Sequence, residues 1–164
     1  MLLIKLFVKC VALLGLTVFV LTACSNPFNA HTYTEVDFSQ ERKVQLTYKQ
    51  NIYDINVQYT RSVLSLNFAD NNTAFDGISY KVTPESCQVY FSELAHSFDI
   101  KAVPENYLPV LLWDFFAENG SNLIADNYDS QRMCYYSAFT INNSFVKFEV
   151  YENEGNVSYT LIIT

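Results

Sequence analysis

The chain has 164 residues, of which 50% are hydrophobic, 16% aromatic and only 16% charged. Its 10 Lys and Arg stand against 17 Asp and Glu, giving a formal charge of −7. This is one domain's worth of chain. So apolar a composition is not that of a disordered protein. The acidic balance lacks the basic footprint of a nucleic-acid binder, and only 4 glycines leave little material for phosphate-cradling loops.

Residues 1–23 read as an export signal. Lys5 and Lys9 form a positive start, and Val11 to Leu21 is an apolar stretch interrupted only by Gly15 and Thr17. A membrane span needs about 20 apolar residues, so this shorter run fits the hydrophobic part of a signal peptide. It ends in Leu21-Thr22-Ala23-Cys24. That tetrapeptide resembles the lipobox of bacterial lipoproteins. The resemblance implies cleavage before Cys24 and a diacylglyceryl group on its thiol, so that membrane lipid is the chain's first partner. One acyl chain holds a protein to a bilayer only marginally, whereas two or more hold it stably. The expected location is extracytoplasmic, on the cell membrane or on an outer membrane where the host has one. By the same analogy, Ser25 rather than Asp after the cysteine favours the outer membrane of a two-membrane cell. Without the resemblance, these residues also suit an ordinary signal peptide with a nearby cysteine, or an uncleaved apolar helix.

Removal of the signal takes Cys10 with it and leaves Cys87 and Cys134 as a pair outside the cytoplasm. A disulfide is the expectation there. It would close a loop of about 48 residues, worth about 4 kcal/mol in the chain-entropy picture. The alternative is two buried thiols. The close C-x-x-C spacing of a redox pair is absent.

Residues 24–32 contain Asn26, Pro27 and Asn29 without a sustained period and read as a tether; residues 33–164 form the domain. Its dominant period is two. Val44, Leu46 and Tyr48 alternate with polar residues, as do Ile55, Val57 and Tyr59, then Leu64, Leu66 and Phe68, then Ile78, Tyr80 and Val82. Late in the chain Val146, Phe148 and Val150, and then Val157, Tyr159, Leu161 and Ile163, do the same. Each predicts a strand with one buried and one wet face, the signature of antiparallel sheet. Gln88 to Phe91 and Arg132 to Phe139 are further strand candidates. Asn142-Asn143 and Asn153-Glu154-Gly155-Asn156 read as hairpin turns.

One segment departs from this period. Pro104 to Gly120 carries Val110, Leu111, Leu112, Trp113, Phe115, Phe116 and Ala117, with only Asp114 and Glu118 as a polar stripe. Pro109 suits the start of a helix and Gly120 its end. A helix this apolar must be covered, so it should plug a concave sheet. Ser92 to Ile100 suggests a second, shorter helix or an irregular crossing. The expected fold is mainly β (α+β): a curved antiparallel sheet, or incomplete barrel, of about eight or nine strands with the helical insert over its concave face.

The alternating strands from Val44 to Phe68, the step Gly77-Ile78-Ser79-Tyr80 and the proline-led helix Leu108 to Asn119 together resemble the LolA/LolB-type half-barrel superfamily. That resemblance implies a concave apolar cavity, closed by helices, that carries lipids or lipoproteins.

Residues able to carry chemistry are few. His31 lies in the tether. Glu93 and His96 have a helical spacing, but no second such pair exists, and a metal site needs three or four ligands. No Gly-x-Ser-x-Gly elbow occurs, so no catalytic residue, cofactor or metal is assigned and the protein is not expected to be an enzyme. Asp70 to Gly77 and Asp126 to Asp129 are oxygen-rich loops that read as solvated turns rather than calcium sites. Leu112, Trp113, Phe115 and Phe116 have two readings: they fill the core, or they line the cavity or lid for an acyl chain or apolar peptide. The chain is thus expected to be an envelope lipoprotein binding an apolar ligand or lipidated partner, the alternative being an interaction or inhibitor module with a filled core.

Overall fold

The computed structural model describes residues 33–69 and 77–164. The signal segment, Cys24, the tether with His31, and residues 70–76 lie outside the described residues. Tyr33–Thr164 forms one compact unit.

Its strands are β1 (Thr34–Asp37), β2 (Arg42–Tyr48), β3 (Asn51–Thr60), β4 (Val63–Phe68), β5 (Ile78–Val82), β6 (Ser86–Phe91) and β7 (Leu94–Asp99). A single 3-10 turn, Ile100–Ala102, precedes helix α1 (Leu108–Asn119). Then come β8 (Asn122–Ala125), β9 (Asn127–Asp129), β10 (Cys134–Ile141), β11 (Ser144–Asn153) and β12 (Asn156–Ile163). Ten strands form one sheet in the order β7-β6-β5-β4-β3-β2-β12-β11-β10-β9, and β1 pairs with β8 in a separate ribbon. The sheet is curved and not closed into a barrel.

Two meanders, β2–β7 and β9–β12, build the sheet, and tight turns hold their registers. Lys49-Gln50, Arg61-Ser62, Asn142-Asn143 and Glu154-Gly155 each have two successive positive φ angles. That is the type I′ geometry, whose twist matches that of the strands it joins. The meanders meet at β2 and β12, which run parallel, Leu46 opposite Leu161. Among the described residues this is the one departure from antiparallel pairing. The helix between the meanders lets the second start in either direction, and hairpin chemistry has no say at that seam.

The pairings carry one apolar face across the sheet. Val150 lies opposite Tyr159, Tyr159 opposite Val44, Val44 opposite Ile55, and Ile55 opposite Phe68. Helix α1 packs on this face. Pro109 stands in its first turn, where a missing N–H is harmless. Gly120 ends it at φ 79°, its N–H bonding the Phe116 carbonyl at 2.8 Å. Leu108, Val110, Leu111, Leu112, Phe115 and Phe116 are buried. Phe116 meets Phe38 edge-on at 5.1 Å between ring centres and stacks on Tyr59 at 5.6 Å. Phe115 meets Phe139 edge-on at 5.1 Å. The β1–β8 ribbon adds buried Val36, Leu123 and Ala125, and Phe38 N–H bonds the Ser121 carbonyl just beyond the helix.

Three sequence expectations change. Ser92 to Ile100 is neither helix nor irregular crossing: Leu94, His96 and Phe98 alternate on β7, which pairs with β6 from Ser86–Asp99 to Phe91–Leu94. Glu93 therefore sits in a hairpin turn, not one helical turn from His96. The sheet has ten strands rather than eight or nine, because β7 has no buried face to contrast with a wet one and β9 is too short to show a period.

The third change is the disulfide. Cys87 and Cys134 are both free and buried. Cys87 lies opposite Val82 on the helix-covered face. Cys134 lies opposite Tyr151, one residue out of phase with inward-facing Val150, so it points to the other face. Six strands separate β6 from β10 in the sheet. A disulfide needs Cα atoms within about 7 Å and Cβ vectors that converge; opposite faces of one sheet deny both.

Candidate functional site

Leu112, Phe115 and Phe116 are fully enclosed side chains of the core. Trp113 lies at the outer edge of the helix, partly buried, with its indole N–H enclosed and without a hydrogen-bond partner. It borders an open groove together with Val110, Asp114, Glu118 and Glu105. Burial raises the Asp114 carboxyl above its ordinary range against the lowering effect of the Asn142 amide, and Glu118 and Glu105 add repulsion.

Besides a cavity of about 420 Å³ at the far end of α1, beside Asn119, Leu123 and Phe139, open space occurs at the mouth of the half-barrel, beside the first turn of α1 and the Lys49-Gln50 hairpin turn. One cavity, of about 350 Å³, is lined by Tyr48, Tyr53, Phe68, Tyr80, Tyr107 and Leu108 among others. A second, of about 510 Å³, is lined by Tyr48, Leu111, Ser144, Ile163 and neighbouring residues. Tyr48, Lys49 and Asn106 belong to both linings. The Tyr48 hydroxyl donates to the Asn106 carbonyl at 3.0 Å, so this side chain stands as a partition. Among the described residues Lys49 is the one charged side chain in either lining. Its ammonium lies 5.0 Å from the centre of the Tyr48 ring, which anchors it at the opening.

The polar atoms of the first cavity are held in pairs. The Tyr107 hydroxyl donates to that of Tyr80 at 3.2 Å, and the two rings meet edge-on at 6.2 Å. Burial, then the bond to Tyr107, pushes the Tyr80 phenol well above its ordinary range. It therefore stays neutral and offers a hydroxyl rather than a charge. The arrangement is an apolar, ring-walled pocket with one cation at its lip. Among the described residues it contains no nucleophile–base pair.

The outer face carries a different cluster. Glu149 is 0% exposed and lies beneath Arg132, Lys147 and Tyr151. Arg132 bonds both carboxylate oxygens, one at 2.9 Å. Lys147 Nζ approaches Oε1 at 2.8 Å, and the Tyr151 hydroxyl donates to Oε2 at 2.8 Å. Burial alone would raise the Glu149 carboxyl. The bonds from Lys147 and Tyr151 and the two positive charges outweigh it and hold the group below its ordinary range. Every lone pair is occupied, so this is a clamp on the β10–β11 hairpin rather than an open site. Burial raises both cysteine thiols above their ordinary range, which removes the thiolate that redox or nucleophilic chemistry requires.

His96 is exposed on β7, its ring 4.4 Å from that of Phe98. Asn127 to Asp129, read from sequence as a turn, is β9. Among the described residues no group of three acidic, His or Cys side chains is placed to hold a metal ion, and no helix is long and apolar enough to cross a membrane.

Tyr48, Lys49, Tyr53, Tyr80 and Tyr107 were not candidates on sequence grounds. A signal existed for Tyr48 alone: a tyrosine at the last inward position of a strand, here β2, places its ring in the core and its hydroxyl at the rim. Comparison with protein families, with curated proteins and with solved structures found no match.

Proposed function

We propose that this chain is a membrane-anchored bacterial lipoprotein of the cell envelope, held through Cys24, whose half-barrel takes a small apolar group at its mouth rather than in its interior. The observation that carries the reading is the pair of cavities sharing Tyr48, Lys49 and Asn106 as walls. Ring-walled concavities with few polar groups are where apolar ligands bind, and each buried methylene contributes about 0.8 kcal/mol. In a chain of net charge −7, a lysine as the one charged side chain that the described residues place in the linings favours an apolar ligand with an anionic end. The pattern shared with half-barrel lipoprotein carriers agrees with this reading without deciding the ligand.

The test is a fluorescence titration of the purified full chain with anilinonaphthalene sulfonate, an apolar anion. Saturable binding is expected, with Lys49→Gln weakening it about threefold, the size of one exposed charge interaction. Binding that does not saturate, or that ignores Lys49, defeats the reading. Radioactive palmitate should label the chain in its bacterial host, and Cys24→Ser should abolish the label.

A second reading, an extracytoplasmic interaction module without a ligand, is favoured by the enclosed Leu112, Phe115 and Phe116.

A further inference from the structure

The outer edge of β7 has a composition that sheet edges normally avoid. Among the described residues β7 ends the ten-stranded sheet, and all six of its residues are exposed. Proteins guard such edges with lysine, proline, a bulge or a very short strand, because unpaired backbone groups recruit another strand. β7 reads Leu94-Ala95-His96-Ser97-Phe98-Asp99. It has no lysine and no proline, and its pairing with β6 runs through six successive residues without a bulge.

Its inward face is also uncovered. Helix α1 packs on β4, β5 and β10, and on the β6–β7 hairpin Leu94 is 73% exposed, Phe91 53% and Phe98 41%. An apolar row beside an open backbone edge is what strand addition requires: the backbone supplies affinity and the row supplies selectivity.

We propose that this edge pairs with β7 of a second copy of the chain, antiparallel and centred on Ser97, so that the sheet continues across a two-fold axis. Alternation limits the choice of register, because inward residues must meet inward residues. Centring on Ser97 places His96 of each copy opposite Phe98 of the other, repeating the ring contact that His96 and Phe98 already make at 4.4 Å. It brings Leu94 toward Ile100, and Glu93 toward Lys101 in the 3-10 turn. Glu93 and Lys101 are both exposed, so opposite charges would meet at both ends. Centring on His96 instead would set Glu93 opposite Asp99, and like charges directly across a strand pair are destabilising. The charge pattern therefore selects both the occupant and the register. The interface is one strand wide, below the size of a standard protein interface, so the dimer belongs in the micromolar range.

Cysteine scanning tests the pairing in the full chain. At the dyad the two Ser97 Cα atoms would lie about 4.5–5.5 Å apart, within disulfide reach. Ser97→Cys should therefore give a covalent dimer on mild oxidation, which Gln88→Cys on the neighbouring strand should not. Sedimentation should show a concentration-dependent dimer of the parent chain. Phe98→Lys, at an exposed position that should leave the circular dichroism unchanged, should raise the dissociation constant at least about tenfold. A parent chain monomeric throughout the micromolar range overturns the proposal, as does a dimer indifferent to Phe98→Lys. Stronger cross-linking through His96→Cys than through Ser97→Cys overturns the register.

Discussion

The two ends of the ten-stranded sheet are finished in opposite ways. At one end β9 is three residues long, and the chain beyond it is tied down at once. The Asp129 carboxylate accepts the backbone N–H groups of Gln131 and Arg132 at 2.9 and 3.1 Å. The Arg132 guanidinium then reaches buried Glu149 and the Tyr151 hydroxyl. At the other end β7 offers six exposed residues, and although the Asp99 carboxylate accepts the Lys101 backbone N–H at 2.9 Å, no charged clasp follows it among the described residues. Both ends belong to the same kind of meander, so the difference lies in side-chain chemistry. A short strand with a charged clasp leaves no template for another chain, and a longer bare one does.

The comparison can be broken by substitution. Glu149→Ala leaves Arg132 and Lys147 without their shared carboxylate, and breaking a buried ion pair from one side costs about 3 kcal/mol; urea unfolding should show a loss of that order. Leu94→Ser at the other end, an exposed site with no partner to strand, should stay within about 0.5 kcal/mol. Equal costs at the two ends would refute the contrast.

Acid should act on the clasped end. The carboxyls of Glu149 and Asp129 both lie below their ordinary range: burial opposes this at Glu149 but its partners prevail, and the Arg132 backbone N–H leads at Asp129. A folded value below the unfolded one means stability that is present at neutral pH and lost as pH falls through the folded value. Protection of the β10–β11 amides, measured against the intrinsic exchange rate at each pH, should therefore fall below the ordinary carboxylate range in the parent chain. In Glu149→Gln that acid step should shrink. An unchanged step would place the acid-sensitive group elsewhere.

The smallest expected effect is none. With Cys87 and Cys134 on opposite faces of the sheet, a reductant should leave the unfolding midpoint where it is, and both thiols should react with a thiol reagent only after unfolding. A bridge would instead show itself as a loss of about 4 kcal/mol on reduction.

Most strands were legible because Val44 to Tyr48, Ile55 to Tyr59, Leu64 to Phe68 and Val146 to Val150 each repeat the two-residue period several times. Helix α1 was legible to its ends, Pro109 and Gly120 marking them chemically. β7 was not, because both of its faces are wet and the contrast that reveals a strand is absent. The mouth cavities were not legible either: a cavity is the space between Tyr48, Tyr80, Tyr107 and Ile163, which come from distant parts of the chain.

Local chemistry in the sequence thus determined the long half-buried strands, where the helix starts and stops, and which face of each of these elements is apolar, since these follow from side-chain period and backbone preference over a few residues. The parallel seam between β2 and β12, the separation of the two cysteines, the enclosure of Phe115 and Phe116, and the exposure of β7 were decided by the tertiary structure alone. Each depends on which strands come to lie side by side, and that is settled by burying the whole apolar face at once.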